Sequence, residues 1–227
     1  MRDKFPLMIW PLIIFFLVKF MNKDELIQEL IGCGALKTKQ VIDAFRSVPR
    51  EDFVPIEYRK YAYDNYPLPI AAGQTISQPL TVAAMTEALQ PSRGQKILEV
   101  GAGSGYQAAI LSEVVGPKGK VITTEIIPEL FEFAKNNLKA YKNVNLLSVD
   151  GSLGYSPEKP YDRIVVTASA PAIPKPLIAQ LKDGGRLVIP VVDRMLLIER
   201  KNGKTKETFL GFYSFVPLTG EHGHKRT

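Results

Sequence analysis

Apolar residues change their spacing several times along the chain, and each change predicts a different element. Over residues 22–60 they recur at helical spacing, first as Leu26, Ile27, Leu30 and Ile31, then as Val41, Ile42 and Phe45. Val48-Pro49-Arg50 stops that run. Residues 61–78, YAYDNYPLPIAAGQTISQ, lose the period and gain Pro, Gly and Tyr, which predicts an ordered loop. A helix over 79–89 follows, with Pro79 in its first turn.

From residue 96 short apolar runs alternate with helical ones. Strands are predicted at 96–100, 120–125, 144–149 and 161–168. Between and after them come a helix ending near Val115, one from Pro128 with Leu130, Ala134 and Leu138 on one face, and one over 174–181. A strand at 186–191 leads to two more, at 195–200 and 209–216, joined by the polar hairpin KNGKTKE with Asn202-Gly203 in it. This order predicts an α/β fold: a Rossmann-like, doubly wound, mostly parallel sheet with a C-terminal antiparallel strand and an N-terminal helical extension.

The opening is a separate matter. Residues 5–18, FPLMIWPLIIFFLV, follow Arg2 and Lys4 as a signal-peptide core would, but no small-residue cleavage site comes next. The run is short of the roughly 20 residues a spanning helix needs, and Pro6 and Pro11 interrupt it. A start at Met21 is the third reading, since MNKDELIQELI opens an ordinary amphipathic helix. We therefore expect an apolar extension at 1–20, an upstream-start artefact or a weak anchor, and one domain at 21–227.

Composition narrows the function. At 45% hydrophobic and 23% charged residues the chain is neither disordered nor fibrous. The net charge of +6 is modest and spread along the sequence, so no nucleic-acid partner is expected and membrane binding is not favoured. Cys33 is the single cysteine, which excludes an intrachain disulfide and a cysteine metal site, and suits a cytoplasmic setting. Both histidines, His222 and His224, fall in the last six residues, so the body of the fold has no histidine base or ligand; no metal is expected.

The candidate chemistry centres on ILEVGAGSGYQAAI, residues 97–110. A buried strand runs into Gly101, Ala102, Gly103, Ser104 and Gly105, and a helix starts at once. Backbone without side chains lets a ligand come close, and the helix N-terminus adds a favourable dipole. Counted from Gly103, the run Gly103-Ser104-Gly105-Tyr106-Gln107-Ala108 also satisfies a loose dinucleotide fingerprint, so a nicotinamide or flavin remains open. Glu99, two residues before the first glycine, gives the acidic-apolar-Gly-x-Gly-x-Gly pattern of methyltransferases. Glu125 ends the second strand, where a carboxylate can accept both ribose hydroxyls of either cofactor. Asp150-Gly151 ends the third, where an acid is placed for an adenine amino group, although Asp-Gly alone also makes a turn. With YDRIVVTASAP (161–171) and LKDGGRLVIPV (181–191), the set points to methyl transfer from S-adenosylmethionine.

RSVPREDFVP (46–55), PLPIAAGQTISQP (67–79) and FVPLTGEHG (215–223) make the pattern more specific. Together with the motifs above, they resemble the protein-L-isoaspartate O-methyltransferase family over nearly all of the chain beyond residue 21. GQTIS, residues 73–77, is the most telling piece. The resemblance implies that this loop closes over the cofactor, with Ser77 as the active-site serine. It further implies cofactor contacts from Thr75, Ile76, the 101–105 turn, Glu125, Asp150, Gly151 and Thr219. The implied partners are damaged proteins bearing isoaspartate, whose methyl ester collapses to a succinimide and re-opens partly as aspartate; a monomer is expected. Many relatives carry a histidine where this chain has Leu80, which puts a contact from that side chain in doubt. A small-molecule or RNA methyltransferase, or a cofactor-binding module without activity, are the alternatives.

The residues suit the chemistry. An isoaspartyl residue leaves its α-carboxyl free, with a pKa of about 3.3–3.7, so it is ionised at neutral pH and attacks a methylsulfonium without a base. That agrees with the missing core histidine. Ser77 then reads as a donor orienting the carboxylate, although its place before Pro79 also suits a helix N-cap. Residues 67–77 and 168–171 are the candidate walls of the substrate groove.

Overall fold

The computed structural model describes residues 20–224. The extension expected at the N-terminus lies, up to residue 19, outside the described residues. The helical stretch after it is broken into four pieces: α1 (Lys23–Gly32), α2 (Lys39–Ser47) and two 3-10 turns at Arg50–Phe53 and Ile56–Tyr61. Pro49 and Pro55 stand before those turns and explain the breaks. A capping box starts α1: Asn22 Oδ1 accepts from the Glu25 amide and Glu25 accepts from the Asn22 amide, both at 3.0 Å. The loop at 61–78 contains a small antiparallel pair, β1 (Leu68–Pro69) and β2 (Thr75–Ile76). Then comes α3 (Pro79–Leu89), where the sequence placed it.

The remaining elements alternate: β3 (Lys96–Val100), α4 (Tyr106–Val115), β4 (Lys120–Thr124), α5 (Pro128–Asn137), β5 (Val144–Leu147), β6 (Tyr161–Val166), α6 (Lys175–Gln180), β7 (Leu181–Val191), β8 (Arg194–Lys201) and β9 (Lys204–Phe212). The sheet order is β5-β4-β3-β6-β7-β8-β9. Pairing is parallel from β5 to β7 and antiparallel at β7–β8 and β8–β9, so β8 alone runs against the others. This is the Rossmann-like architecture expected.

Alternate residues of each strand serve two cores. Ile97, Val121, Val165 and Val188 pack with α1 to α5 on one face, whereas Leu98, Ile122, Ile164 and Leu187 pack with Leu177 of α6 on the other. Burial on both faces explains why these strands read as continuous apolar runs.

The last strand departs from the expected 209–216. It begins at Lys204, directly after a two-residue turn in which Asn202 (φ 53°) and Gly203 (φ 73°) are both left-handed. Its polar residues 204–208 are strand because β9 pairs only with β8 and its other edge meets water. An apolar count cannot see such a strand. Residues 213–216, taken for strand, instead leave the sheet toward the cavity described next.

Candidate functional site

Between the end of β3 and the start of α4, Gly101, Gly103 and Gly105 have φ of 96°, 53° and 88°. Torsion and space both demand glycine at two of these positions. A Cβ on Gly101 would stand 2.5 Å from Thr167 Oγ1, and one on Gly105 would stand 2.9 Å from Leu138 Cγ. The turn is held from both sides. The Gly101 and Ala102 amides donate to the Thr124 carbonyl at 3.0 and 2.9 Å, and Asn137 Nδ2 donates to the Ser104 carbonyl at 2.9 Å.

Two carboxylates stand at the neighbouring strand tips in contrasting states. Glu125, just past β4, accepts from the Gly103 amide through Oε2 and from the Ile127 amide through Oε1, each at 2.9 Å. A carboxylate has about four acceptor positions, so both oxygens can still take a hydroxyl. Glu99 is wholly buried, and neither of its oxygens has a hydrogen-bond partner. Opposite it in the β3–β4 register lies Thr123, whose hydroxyl is also unpartnered. Burial pushes the Glu99 carboxyl up to about 8; the nearby Thr123 hydroxyl, outside hydrogen-bond geometry, pulls the other way, and the Glu125 charge adds to the rise. Such a group is costly until something cationic or donating meets it, and Glu99 lines the cavity. An adenosyl ligand with an ammonium, a sulfonium and two vicinal hydroxyls has the groups that these two acids lack.

The next wall comes from the end of β5 and the C-terminal segment. Gly151 lines the cavity, and a Cβ on it would fall 2.1 Å from Thr124 Oγ1 and 2.8 Å from Val100 Cγ1. Asp150 itself stands behind that wall. Its Oδ1 accepts from the Ser152 amide at 2.9 Å and the Ser152 hydroxyl at 2.7 Å, and its Oδ2 from the Glu221 amide at 2.7 Å. It therefore caps a 3-10 turn and staples the C-terminal segment in place. That segment is also stitched to the loop after β6: the Ser169 amide donates to the Val216 carbonyl and the Leu218 amide to the Ser169 carbonyl, both at 2.8 Å. Thr219 thus reaches the cavity from 69 residues beyond Asp150's neighbourhood in sequence terms only because Ser169 and Asp150 hold it there.

Across the opening lies the β1–β2 hairpin, in register Leu68 with Ile76, and Thr75, Ile76 and Ser77 face the same space. Ser77 does not cap α3. The cap position is Gln78 without a side-chain bond, and Asn65 Oδ1 accepts from the Leu80 amide at 3.1 Å instead. Gln78 Nε2 donates in turn to the Asn65 carbonyl at 2.8 Å. The carbonyl of Ser77 accepts from Arg50 Nη2 at 2.8 Å. Leu80 packs against the core on the helical side and is not among the cavity's lining residues.

One cavity lies among these elements, open to solvent at its mouth. It brings together Thr75, Ile76, Ser77, Glu99, Gly101, Ala102, Gly103, Ser104, Glu125, Gly151 and Thr219; Gly105 and Asp150 support it from behind. Sequence reasoning missed Thr167, whose hydroxyl donates to the Val100 carbonyl at 3.1 Å, and the apolar pair Ile126-Ile127. It also missed Asn65 and Arg50, which carry no motif signal for this role. Of the two expected groove walls, 67–77 borders the cavity through Gln74 to Ser77 and 168–171 through Ala168. Among the described residues no group of three His, Cys, Asp or Glu side chains converges on a point, and no helix is long and apolar enough to cross a membrane.

Comparison with known proteins gives a consistent answer. The family model described as protein-L-isoaspartate(D-aspartate) O-methyltransferase matches residues 21–223. A protein-L-isoaspartate O-methyltransferase of Ignicoccus hospitalis is 57% identical, covering 88% of this chain and 98% of its own. One of Methanopyrus kandleri is 50% identical, covering 88% and 92%. A solved structure from Plasmodium falciparum, described as a protein-L-isoaspartate O-methyltransferase in complex with S-adenosyl-L-homocysteine, superposes with a TM-score of 0.78. It is 25% identical and covers 88% of this chain and 99% of that one.

Proposed function

The chain belongs to the protein-L-isoaspartate(D-aspartate) O-methyltransferase family, and from that membership we propose a division of labour among the residues of its cavity. The reaction is methyl transfer from S-adenosylmethionine to the free α-carboxylate of isoaspartyl residues in damaged proteins, the step that starts their repair. That sets aside the small-molecule, RNA and dinucleotide alternatives.

S-adenosylmethionine, when bound, supplies a methyl group on a positively charged sulfur. On the protein side, the 101–105 turn offers backbone close to the ligand, Glu125 takes the ribose hydroxyls and Glu99 meets a cationic group. The unpartnered, buried carboxyl of Glu99 inside the cavity supports this assignment. Gly151 and Thr219 line the site; an adenine contact through Asp150 would use Oδ2, which accepts one bond.

Ser77 is the residue we assign to the acceptor. Its hydroxyl is spared from capping by Asn65, and it lies on the cavity wall. A hydroxyl there donates to the incoming carboxylate and turns one of its oxygens toward the methyl carbon. No proton needs to be removed, and no base is required. The gain comes from alignment and from shielding two opposite charges from water, which together reach roughly 7–11 kcal/mol in well-oriented reactions.

The observation that carries the reading is that Ser77, which caps no helix, lines the same cavity as the unpartnered Glu99 carboxyl. Methylation of a synthetic isoaspartyl peptide by Ser77→Ala tests it. A hydrogen bond to a charged group is worth about 1.5–3 kcal/mol, so turnover is expected to fall roughly tenfold to hundredfold. Calorimetric affinity for S-adenosylhomocysteine stays within about twofold. Undiminished turnover would remove Ser77 from the reaction.

We also place the methyltransferase domain at 21–227 and read the enzyme as a cytoplasmic monomer. The free, exposed Cys33 thiol suits reducing surroundings. Light scattering tests the monomer.

A further inference from the structure

Arg50 lies outside the cavity and touches both of its halves. It opens the 3-10 turn after α2 and is wholly buried. Its Nε donates to the Ala62 carbonyl and its Nη2 to the Ser77 carbonyl, each at 2.8 Å. The guanidinium carbon stands 4.9 Å from the centroid of the Tyr106 ring. Tyr106 is the first residue of α4, immediately after the glycine turn, and it lines the cavity. Nη1 is buried and has no partner. Burial lowers the guanidinium to about 10, so it keeps its charge at neutral pH.

A cation in this position is expensive. No carboxylate forms an ion pair with it among the described residues. For packing alone, an apolar side chain would serve at least as well. What an apolar side chain cannot do is donate to two carbonyls of separate segments from one planar fork while keeping its charge over an aromatic ring. One of those carbonyls belongs to the residue whose hydroxyl faces the acceptor. The ring belongs to the helix that carries the cofactor turn.

We propose that Arg50 is a positioning residue for the methyl transfer: it fixes the main chain of Ser77 against the start of α4, so that the serine hydroxyl stands in register with the cofactor turn. The inference rests on the assignment of Ser77 given above. Ile76 is buried in the core beside Ser77, but apolar packing holds the loop down without directing its carbonyls. Strand β2 is two residues long, and Asn65 ties its far end to the start of α3 rather than to the turn. Lysine would place a charge near the same spot but has no fork with which to hold both carbonyls and no flat face for the ring.

A double-mutant cycle separates positioning from plain structural support. Turnover of an isoaspartyl peptide is measured at saturating S-adenosylmethionine for the full-length enzyme, Arg50→Lys, Ser77→Ala and the double variant. Misplacing a reacting group by about 1 Å can cost a hundredfold, so Arg50→Lys is expected to lower kcat roughly tenfold to hundredfold when Ser77 is present. In the Ser77→Ala background the same change is expected to cost less than about twofold, because the group it positions is gone. KM for the cofactor is expected to move less than kcat. An equal kcat loss in both backgrounds overturns the inference and leaves Arg50 as scaffold, with the serine assignment intact. Full turnover in Ser77→Ala alone overturns the serine assignment and this inference with it. Should Arg50→Lys fail to fold, Arg50→Gln, whose amide can still donate to one carbonyl, enters the same cycle with the same two outcomes.

Discussion

The turn at 101–105 and the loop at 73–77 face one cavity and are held there by opposite means. In the turn, every anchor comes from the adjoining strand tips and helices: Thr124 receives two amides, Glu125 a third, and Asn137 holds the Ser104 carbonyl. Left-handed glycines leave the chain one path through a space that admits no side chain. The loop has two-residue strands; Leu68, Ile70 and Ile76 pack it into the core, and its main chain is held by two side chains, Arg50 and Asn65, across 27 and 15 positions of the chain. The half that receives a small cofactor is built rigid. The half proposed to meet the acceptor is held by apolar packing and by two side-chain pegs.

The largest blow to that contrast is a substitution in the rigid half. Gly101→Val puts a branched Cβ at φ 96° and 2.5 Å from Thr167 Oγ1. The left-handed conformation alone costs about 1–2 kcal/mol, and the collision adds roughly 1–3 more. Where the turn shifts to relieve that strain, cofactor affinity is expected to fall by about thirtyfold or more in calorimetry. A tight-binding Gly101→Val would mean that the turn yields as readily as the loop.

Next in size is Glu99→Gln, read as stability against pH. The folded carboxyl sits at about 8, above an ordinary value of about 4.3, so the ligand-free folded state holds more protons than the unfolded chain between these values. Stability of the ligand-free enzyme therefore falls as pH rises from about 5 to 8 and levels off above, by an amount on the order of a few kcal/mol. In Glu99→Gln this slope disappears and cofactor affinity drops. Urea midpoints at several pH values check it; parallel profiles for the two proteins would show that the acid is not strained in the empty site.

The smallest effect is expected at Asn65→Ala. It removes the acceptor for the Leu80 amide and costs about 1 kcal/mol, as lost helix caps do. Turnover falls only a few-fold, because Arg50 still holds Ser77. Turnover as low as that of Ser77→Ala would make Asn65 the principal peg instead.

Legibility in the sequence follows the same division. The glycine turn, Glu99 and Glu125 could be read because they fall at fixed local spacing about the ends of β3 and β4. Strands β3, β4 and β6 could be found, within a few residues, because burial on both faces makes them largely apolar, whereas β7 starts five residues before the expected 186 because its opening residues 181–185 include the exposed Lys182, Asp183 and Gly184. Strand β9 was misplaced because its edge position permits lysine and threonine. The cap of α3 was ambiguous because Ser77 and a remote Asn65 compete for it, and local sequence shows only the first. Asp150 was legible as an acid at a strand tip, but its bonds to Ser152 and Glu221 depend on where the C-terminal segment runs.

By itself, then, the sequence determined the alternation that makes the sheet, the glycines that let the chain turn at its edge and the acids beside them. These are local properties, decided by torsion angles and by burial within one element. Tertiary structure alone decided which acid is left without a partner, which side chain caps α3 and which buried cation grips the Ser77 carbonyl. Hydrogen bonds between segments 15 to 71 positions apart leave no period and no spacing rule in the chain, because their geometry exists only once the layers have packed.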